Sequence, residues 1–283
     1  MGISASAVLV ELNISVWTGE VLDRDATNDL LSRNAATKGA AKVKKNLMAG
    51  TPLRKNIADF AAYCRGAHAS MTLPWSDRGP RVLSTSQFLG YKEQMNDNAQ
   101  RFHAMVDNFC QRYSTLIEVS SENQGLLFNR DDYPSPEEVA SRFDFRMTFS
   151  PVPEAGDFRV DVGANDLEEM KESYERSYDE RLKQAMQDPW RRIHKMLVGM
   201  SEKLSPTPGE DKKRWHESFV DNPRELCDLL THLNITQDPE LEEARKRLEA
   251  TMFGVGIEDI KEHAHIRAKV KHNVDTLLQQ FDW

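Results

Sequence analysis

The strongest constraint on the fold of this chain is a run of apolar residues that recur every three or four positions. Its members are Phe88, Tyr91, Met95, Ala99, Phe102, Val106, Phe109, Tyr113 and Leu116. This spacing is typical of a helix whose apolar seam packs along a partner helix. A second run with the same spacing comprises Leu167, Met170, Tyr174, Tyr178, Leu182 and Ala185. The sequence therefore predicts two long antiparallel helices that pair as in a coiled coil.

Alternation of apolar and polar residues predicts β-structure at three places. Residues 8–16 alternate near the N-terminus, and residues 145–149 and 158–162 alternate between the two long helices. A loop at 151–157 separates the last two segments, which indicates a β-hairpin inserted between the long helices. The expected fold class is α+β and mostly helical.

Capping signals and proline positions predict the remaining helices. They are expected at 25–49 with a break at Gly39, at 52–69, from Ser135-Pro136, from Asn222-Pro223, from Asp238-Pro239 and at 257–281. The long helix that begins near Ser84 is expected to run to about Ser121, and Pro189 is expected to kink or restart the second one.

A proline- and glycine-containing linker at 205–209 suggests three regions. Residues 1–83 hold the N-terminal strand, basic helices and a Pro-Trp loop. Residues 84–204 form the long helical hairpin with its inserted β-hairpin, and residues 210–283 form a helical C-terminal region.

Composition limits the cellular setting that we expect. The 283 residues contain no run of eighteen apolar residues, so no membrane span is expected. The N-terminus lacks the basic and apolar regions of a signal peptide. Cys64, Cys110 and Cys227 are far apart and form no CxxC pair, which favours reduced thiols and a cytoplasmic protein.

The net charge of −8 is unevenly distributed. A basic segment contains Lys38, Lys42, Lys44, Lys45, Arg54 and Lys55 without any acidic residue. Such a segment can hold an anion, or it can pack on the acidic helices predicted at 168–180 and 240–249.

The Pro-Trp loop is the best candidate for base stacking. Trp75 is followed by Arg78 and Arg81, and guanidinium groups beside an exposed aromatic ring suit phosphate contact with base stacking. The alternative is that Trp75 fills a core while Asp77 pairs with one of the arginines. In the first case Trp75, Arg78 and Arg81 join Lys38, Lys42, Lys44, Lys45 and Lys55 as a nucleic-acid-binding set.

No catalytic signature stands out in the sequence. It contains neither a phosphate-binding loop nor a GxSxG nucleophile motif. His263 and His265 diverge by about 200° on a helix, so they cannot grip one metal ion together. We therefore expect no catalytic residue, metal or cofactor, although an active site in residues that form no motif stays open.

Two segments carry a family resemblance. Residues 14–19 read Ile-Ser-Val-Trp-Thr-Gly after the first strand, and Phe102, Phe109 and Tyr113 follow as F-x6-F-x3-Y. Together they resemble an uncharacterised family of bacterial and phage proteins, often encoded near cobaltochelatase-like AAA+ ATPases. The resemblance implies a phage or mobile-element setting and a AAA+ ATPase partner. It assigns no catalytic residue.

These observations predict a non-enzymatic, oligomeric binding protein. Self-association is expected through the seam residues Phe88, Tyr91, Phe102, Phe109 and Tyr113. The expected partner is single-stranded DNA in replication or recombination. The alternative is a scaffold or adaptor for a AAA+ ATPase, or a virion structural component.

Overall fold

The computed structural model describes residues 3–77, 79–153, 164–205, 214–281 and 283. The chain divides into two compact units, each made of several sequence segments. The first unit comprises Met1–Glu11, Ala69–Tyr91 and Phe149–Trp283, and the second comprises Leu12–His68 and Lys92–Thr148. These units do not follow the three sequence regions, which remain a description of composition.

The mostly helical α+β class is confirmed. The strands are β1 (Ala7–Ser15), β2 (Glu20–Asp23), β3 (Val43–Asn46), β4 (Leu73–Pro74), β5 (Arg81–Ser84) and β6 (Asp144–Pro151). The helices are α1 (Arg24–Arg33), α2 (Leu53–Met71), α3 (Phe88–Gln111), α4 (Tyr113–Gln124), α5 (Pro136–Ala140), α6 (Ala164–Leu204), α7 (Ser218–Leu233), α8 (Pro239–Met252), α9 (Ile257–Glu262) and α10 (Ala264–Gln280). Among the residues described, no helix has the length and hydrophobicity that a bilayer span requires.

Four strands form a sheet in the order β4-β5-β1-β6. β1 runs antiparallel to β5, with Ala7 opposite Ser84 and Val10 opposite Arg81. β1 and β6 confirm two of the three predicted strands. The third, at 158–162, lies outside the described residues, so the inserted hairpin stays a prediction.

The helix predicted over residues 25–49 is wrong in its second half. α1 ends at Arg33, and Val43–Asn46 form β3, which pairs antiparallel with β2. The Ala- and Lys-rich composition favours a helix locally, but cross-strand pairing of Val21 with Lys45 and Leu22 with Lys44 fixes a strand. Lysines of this segment therefore alternate between two faces of a β-ribbon.

The aromatic run that begins at Phe88 is not one helix. α3 ends at Gln111 and α4 starts at Tyr113, with Arg112 at φ −98° and ψ 1° between them. In the second unit, Phe102, Phe109 and Tyr113 share a core with Trp17 and the α2 residue Ile57. The apolar residues Phe102 and Phe109 of α3 are therefore buried against other residues of the same unit.

α6 has other partners within the first unit. It packs on α7, α8 and α10, and it continues through Pro189 as one helix. The predicted coiled-coil pairing of the two long helices is therefore not confirmed in the described residues.

Helix starts in the C-terminal part were predicted with mixed success. Asp238 accepts hydrogen bonds from the backbone N–H groups of Glu240 and Leu241, which confirms it as the N-cap of α8. The predicted start at Asn222-Pro223 is wrong, because α7 already begins at Ser218. The helix predicted over 257–281 is two helices, α9 and α10, separated at His263.

Candidate functional site

The predicted nucleic-acid lysines of the second unit are mostly paired with acids. Lys45 is about one-tenth exposed, and its Nζ lies 2.5 Å from Asp132 Oδ2 and 3.6 Å from Asp23 Oδ2. It also donates to the Leu127 carbonyl. The hydrogen bond to Asp132 raises the pKa of Lys45 above its ordinary value. This lysine is an internal charge, which excludes it from a phosphate-binding surface.

Two further lysines of the set form exposed ion pairs. Lys44 Nζ lies 2.9 Å from Glu20 Oε2 across the β2–β3 ribbon, and Lys55 pairs with Asp59 one turn along α2. Lys38 and Lys42 are exposed and have no ion-pair partner among the residues described. Lys38, Lys42 and Arg54 are thus the members of the basic segment that form no ion pair among the residues described, and neighbouring carboxylates offset the charge of the others.

The Pro-Trp loop belongs to the first unit, and its tryptophan is not available for stacking. Trp75 is 5% exposed and packs edge-on against Tyr178, with 5.4 Å between ring centroids. Arg81 donates through Nε to the Thr72 hydroxyl and through Nη2 to the carbonyls of Ala69 and Thr72. The core alternative is therefore correct for Trp75.

Burial lowers the pKa of Arg81, although it stays charged at neutral pH. Its hydrogen bonds close the last turn of α2, where carbonyls lack partners within the helix. Arg78 lies outside the described residues.

The residues predicted to mediate oligomerisation lie mostly in the chain's own cores. Phe102, Phe109 and Tyr113 are at most 1% exposed in the core of the second unit. Tyr91 is buried and Phe88 is half-buried in the first unit, where both rings contact Phe149. Self-association stays a prediction, but four of the five residues proposed to mediate it are buried inside the chain.

A groove of about 420 Å³ lies between α6 and α7 of the first unit. The lining residues are Arg192, Lys195, Met196, Gly199, Met200, Lys203, Ser218, Phe219, Asn222 and Leu226. On α6 they recur at three- and four-residue steps, and on α7 they share one face because of their i, i+1, i+4, i+8 spacing. Met200, Phe219 and Leu226 are buried and form the apolar floor.

Among its described lining residues, the groove carries three basic side chains and no acidic one. Lys195 is exposed on α6 and has no ion-pair partner among the residues described. Lys203 Nζ lies 5.7 Å from the ring centroid of Trp215 and 5.9 Å from that of Phe219, which holds its charge over the aromatic end of the groove.

The third groove cation, Arg192, has a structural role. It pairs with Asp188 and donates to the backbone carbonyls of Ala69 and Thr72. Lys195, which is exposed on α6, is therefore the groove cation most accessible to a ligand.

The sequence alone does not predict this groove. Met196, Gly199, Met200 and Lys203 form a recurring stripe on α6 that could have indicated an accessible helix face. The other wall of the groove, on α7, begins at Ser218, fifteen residues after Lys203. The periodicity of apolar residues does not show which two helices pack together.

The described residues contain no group of His, Cys, Asp and Glu side chains that could hold a metal ion. Comparisons of the chain with models of known protein families, with curated proteins and with solved structures find no match. The resemblance drawn from residues 14–19 and the Phe102–Phe109–Tyr113 spacing therefore stays a prediction.

Proposed function

We propose that this chain is a non-enzymatic binding protein that holds an apolar, acid-flanked segment of a protein partner in the α6–α7 groove. The observation that carries the proposal is the combination of an apolar floor with Lys195 and Lys203 in a lining whose described residues include no acidic side chain. An apolar side chain gains free energy by leaving water, while the two lysines favour a segment that carries carboxylates.

The dimensions of the groove suit a helix or a short peptide better than a flat protein surface. Lys195 and Lys203 are eight residues apart on α6, which corresponds to about 12 Å along the helix axis. Carboxylates seven or eight residues apart on a bound helix have the same separation. Met196 and Met200 have flexible thioether side chains that adapt to apolar partners of different shape.

Gly199 provides a sharp test of the groove. It is exposed on α6 and lines the groove, and a Cβ added there meets no atom within 4 Å. Gly199→Phe should therefore fill the groove without a clash in the helix. Gly199→Ala is the matched control, since it makes the same backbone change and leaves most of the volume open.

The measurement is fluorescence anisotropy with a labelled synthetic helix that carries Phe and Leu at every third or fourth position and Glu elsewhere. Wild type and Gly199→Ala should bind this peptide, and Gly199→Phe should bind at least tenfold more weakly. A matched peptide with Lys in place of Glu should not bind to wild type. Equal binding by the two Gly199 variants, or no binding by wild type, would overturn the proposal.

Binding of single-stranded DNA is a second candidate, supported by the exposed side chains of Lys38 and Lys42, which have no ion-pair partner in the described part of the chain. Lys38→Ala/Lys42→Ala should weaken binding of a labelled oligonucleotide at low salt, where phosphate attraction is strongest. A Lys44→Ala variant is the matched control, because Glu20 already neutralises that lysine. Failure of wild type to bind at low salt would eliminate this candidate.

The partner that the family resemblance proposes is a AAA+ ATPase, with a virion component as its alternative. In either case the chain would act as an adaptor. The first surface of such a partner to test is an apolar segment that is flanked by acidic residues.

A further inference from the structure

An exposed tyrosine on α2 is held in place by an aromatic neighbour in the second unit. Tyr63 is 57% exposed, and its ring stacks on that of Phe60 with 5.8 Å between the centroids and 20° between the planes. Phe60 belongs to the core of the unit and is 8% exposed. A ring that rests on the core in this way loses little freedom when a flat ligand stacks on it.

Arg101 of α3 places a positive charge at the same ring pair. Its Cζ atom lies 4.6 Å from the centroid of the Phe60 ring, and its side chain is exposed. Asp97 lies one turn earlier on α3, but Arg101 forms no ion pair or hydrogen bond with it or with any other residue described. The charge of Arg101 is therefore accessible to a ligand.

Arg65 supplies a second positive charge beside the ring pair. It is exposed on α2, and its Nη2 donates to the Ile14 carbonyl at 2.7 Å. A carbonyl is a neutral acceptor, so this bond leaves the charge of Arg65 uncompensated and other N–H donors of the guanidinium group free. Burial raises the pKa of the Cys64 thiol, and the charges of Arg101 and Arg65 both oppose that rise. The two guanidinium groups thus lie near the same thiol.

The acidic residue one turn before Tyr63 is already engaged. Asp59 Oδ2 accepts a hydrogen bond from Lys55 Nζ at 2.5 Å. The surface formed by Phe60, Tyr63, Arg65 and Arg101, here called the Tyr63 patch, therefore combines an accessible aromatic ring with two arginines that form no ion pair among the residues described.

Building on the second candidate function, we infer that the Tyr63 patch is the site that binds single-stranded DNA. A base stacks on the ring of Tyr63, while Arg65 and Arg101 contact phosphates of the same strand. This is the chemistry that the sequence suggests at Trp75, and Trp75 is buried. The inference depends on DNA binding and not on the α6–α7 groove, since the patch belongs to the second unit.

The test is fluorescence anisotropy at low salt with a labelled oligothymidine and with an abasic strand that has the same number of phosphates. Wild type should bind the oligothymidine about tenfold more tightly, because only this strand offers bases for stacking. Tyr63→Ser should bind the two strands equally. Tyr63→Phe is the matched control, since it keeps the ring and should retain the preference of wild type.

Salt dependence separates the arginines from the ring. Each phosphate contact contributes about 0.7 to the slope of log affinity against log salt concentration for a single strand. Arg101→Ala should therefore reduce this slope by about 0.7, and Tyr63→Ser should leave it unchanged. Arg33→Ala is the matched control, because it removes one positive charge from an exposed ion pair with Asp29 in the same unit and should bind as wild type does.

Equal affinity of wild type for the two strands, or equal affinity of Tyr63→Ser and Tyr63→Phe for the oligothymidine, would overturn the inference. If wild type fails to bind at low salt, the candidate function fails together with the site. If Lys38→Ala/Lys42→Ala weakens binding and Tyr63→Ser does not, DNA binding stands and the Tyr63 patch is wrong as its site.

Discussion

Two adjacent lysines on β3 should differ sharply in their contribution to stability, although the sequence presents them as one basic patch. Lys45→Met removes the partner of two carboxylates that are only 12% and 19% exposed at Asp23 and Asp132. Breaking a fully buried pair costs about 3–5 kcal/mol, and an exposed pair is worth about 0–1 kcal/mol. Since all three groups retain some contact with solvent, we expect a loss of about 2–3 kcal/mol.

Lys44→Met is the matched control, with an expected effect below about 0.5 kcal/mol. Its side chain is 62% exposed and its partner Glu20 is 46% exposed, so water replaces the lost contact. Urea denaturation followed by far-UV circular dichroism at pH 7 compares the midpoints of the two variants with that of wild type. Equal shifts for the two variants would refute the assignment of Lys45 as an internal charge.

The pH dependence of the Lys45 effect has a defined sign. Because the pKa of Lys45 is raised on folding, its stabilising contribution is fully present below its unfolded pKa of about 10.4. The contribution is lost as pH rises through the folded pKa. The stability difference between wild type and Lys45→Met should therefore be constant from pH 7 to 9 and shrink above about pH 10.4. A difference that instead grows with pH would contradict this assignment.

Three further predictions concern single sites. Gly199→Ala should raise the free energy of unfolding by about 0.5–1 kcal/mol, because alanine favours a helix interior, and thermal unfolding should show a higher midpoint. Trp75→Ala should lower that free energy by about 3–5 kcal/mol through loss of core packing, and an unchanged urea midpoint would refute its burial. Alkylation of the native protein at pH 8, mapped by mass spectrometry, should modify the half-buried Cys110 before Cys227, since burial raises the pKa of the Cys227 thiol to about 12; faster labelling of Cys227 would contradict this order.

Local signals were sufficient where the structure depends on local chemistry. Ser135 and Asp238 each accept hydrogen bonds from the first turn of the helix that follows, and both starts are legible as a capping residue followed by proline. The seam residues Phe102 and Phe109 are buried, as their spacing indicates. Their partners are not encoded in that spacing, and the structure supplies them from α2 and Trp17.

The exposure of the predicted site residues could not be predicted from the sequence for a related reason. Lys45 lies on the inner face of a two-stranded ribbon only because Val43–Asn46 pair with β2, and Asp132 reaches it from the short 3₁₀ helix Arg130–Asp132, far along the chain. Tertiary packing also decides that Trp75 is buried and that Lys195 is exposed, and the sequence around each residue does not show this. Charge runs and aromatic residues therefore indicate candidate binding residues, but only the fold determines whether their side chains are accessible.

The central claim is that the α6–α7 groove binds an apolar, acid-flanked segment, and methionine methyl NMR tests it most directly. The chain has eleven methionines, two of which line the groove. Titration of methyl-labelled protein with the synthetic helix that carries Phe, Leu and Glu should shift the methyl resonances of Met196 and Met200. Met196→Leu and Met200→Leu variants assign these two resonances. Met48 and Met95, buried outside the groove lining, should not shift. A spectrum in which Met196 and Met200 stay fixed at saturating peptide would contradict the account.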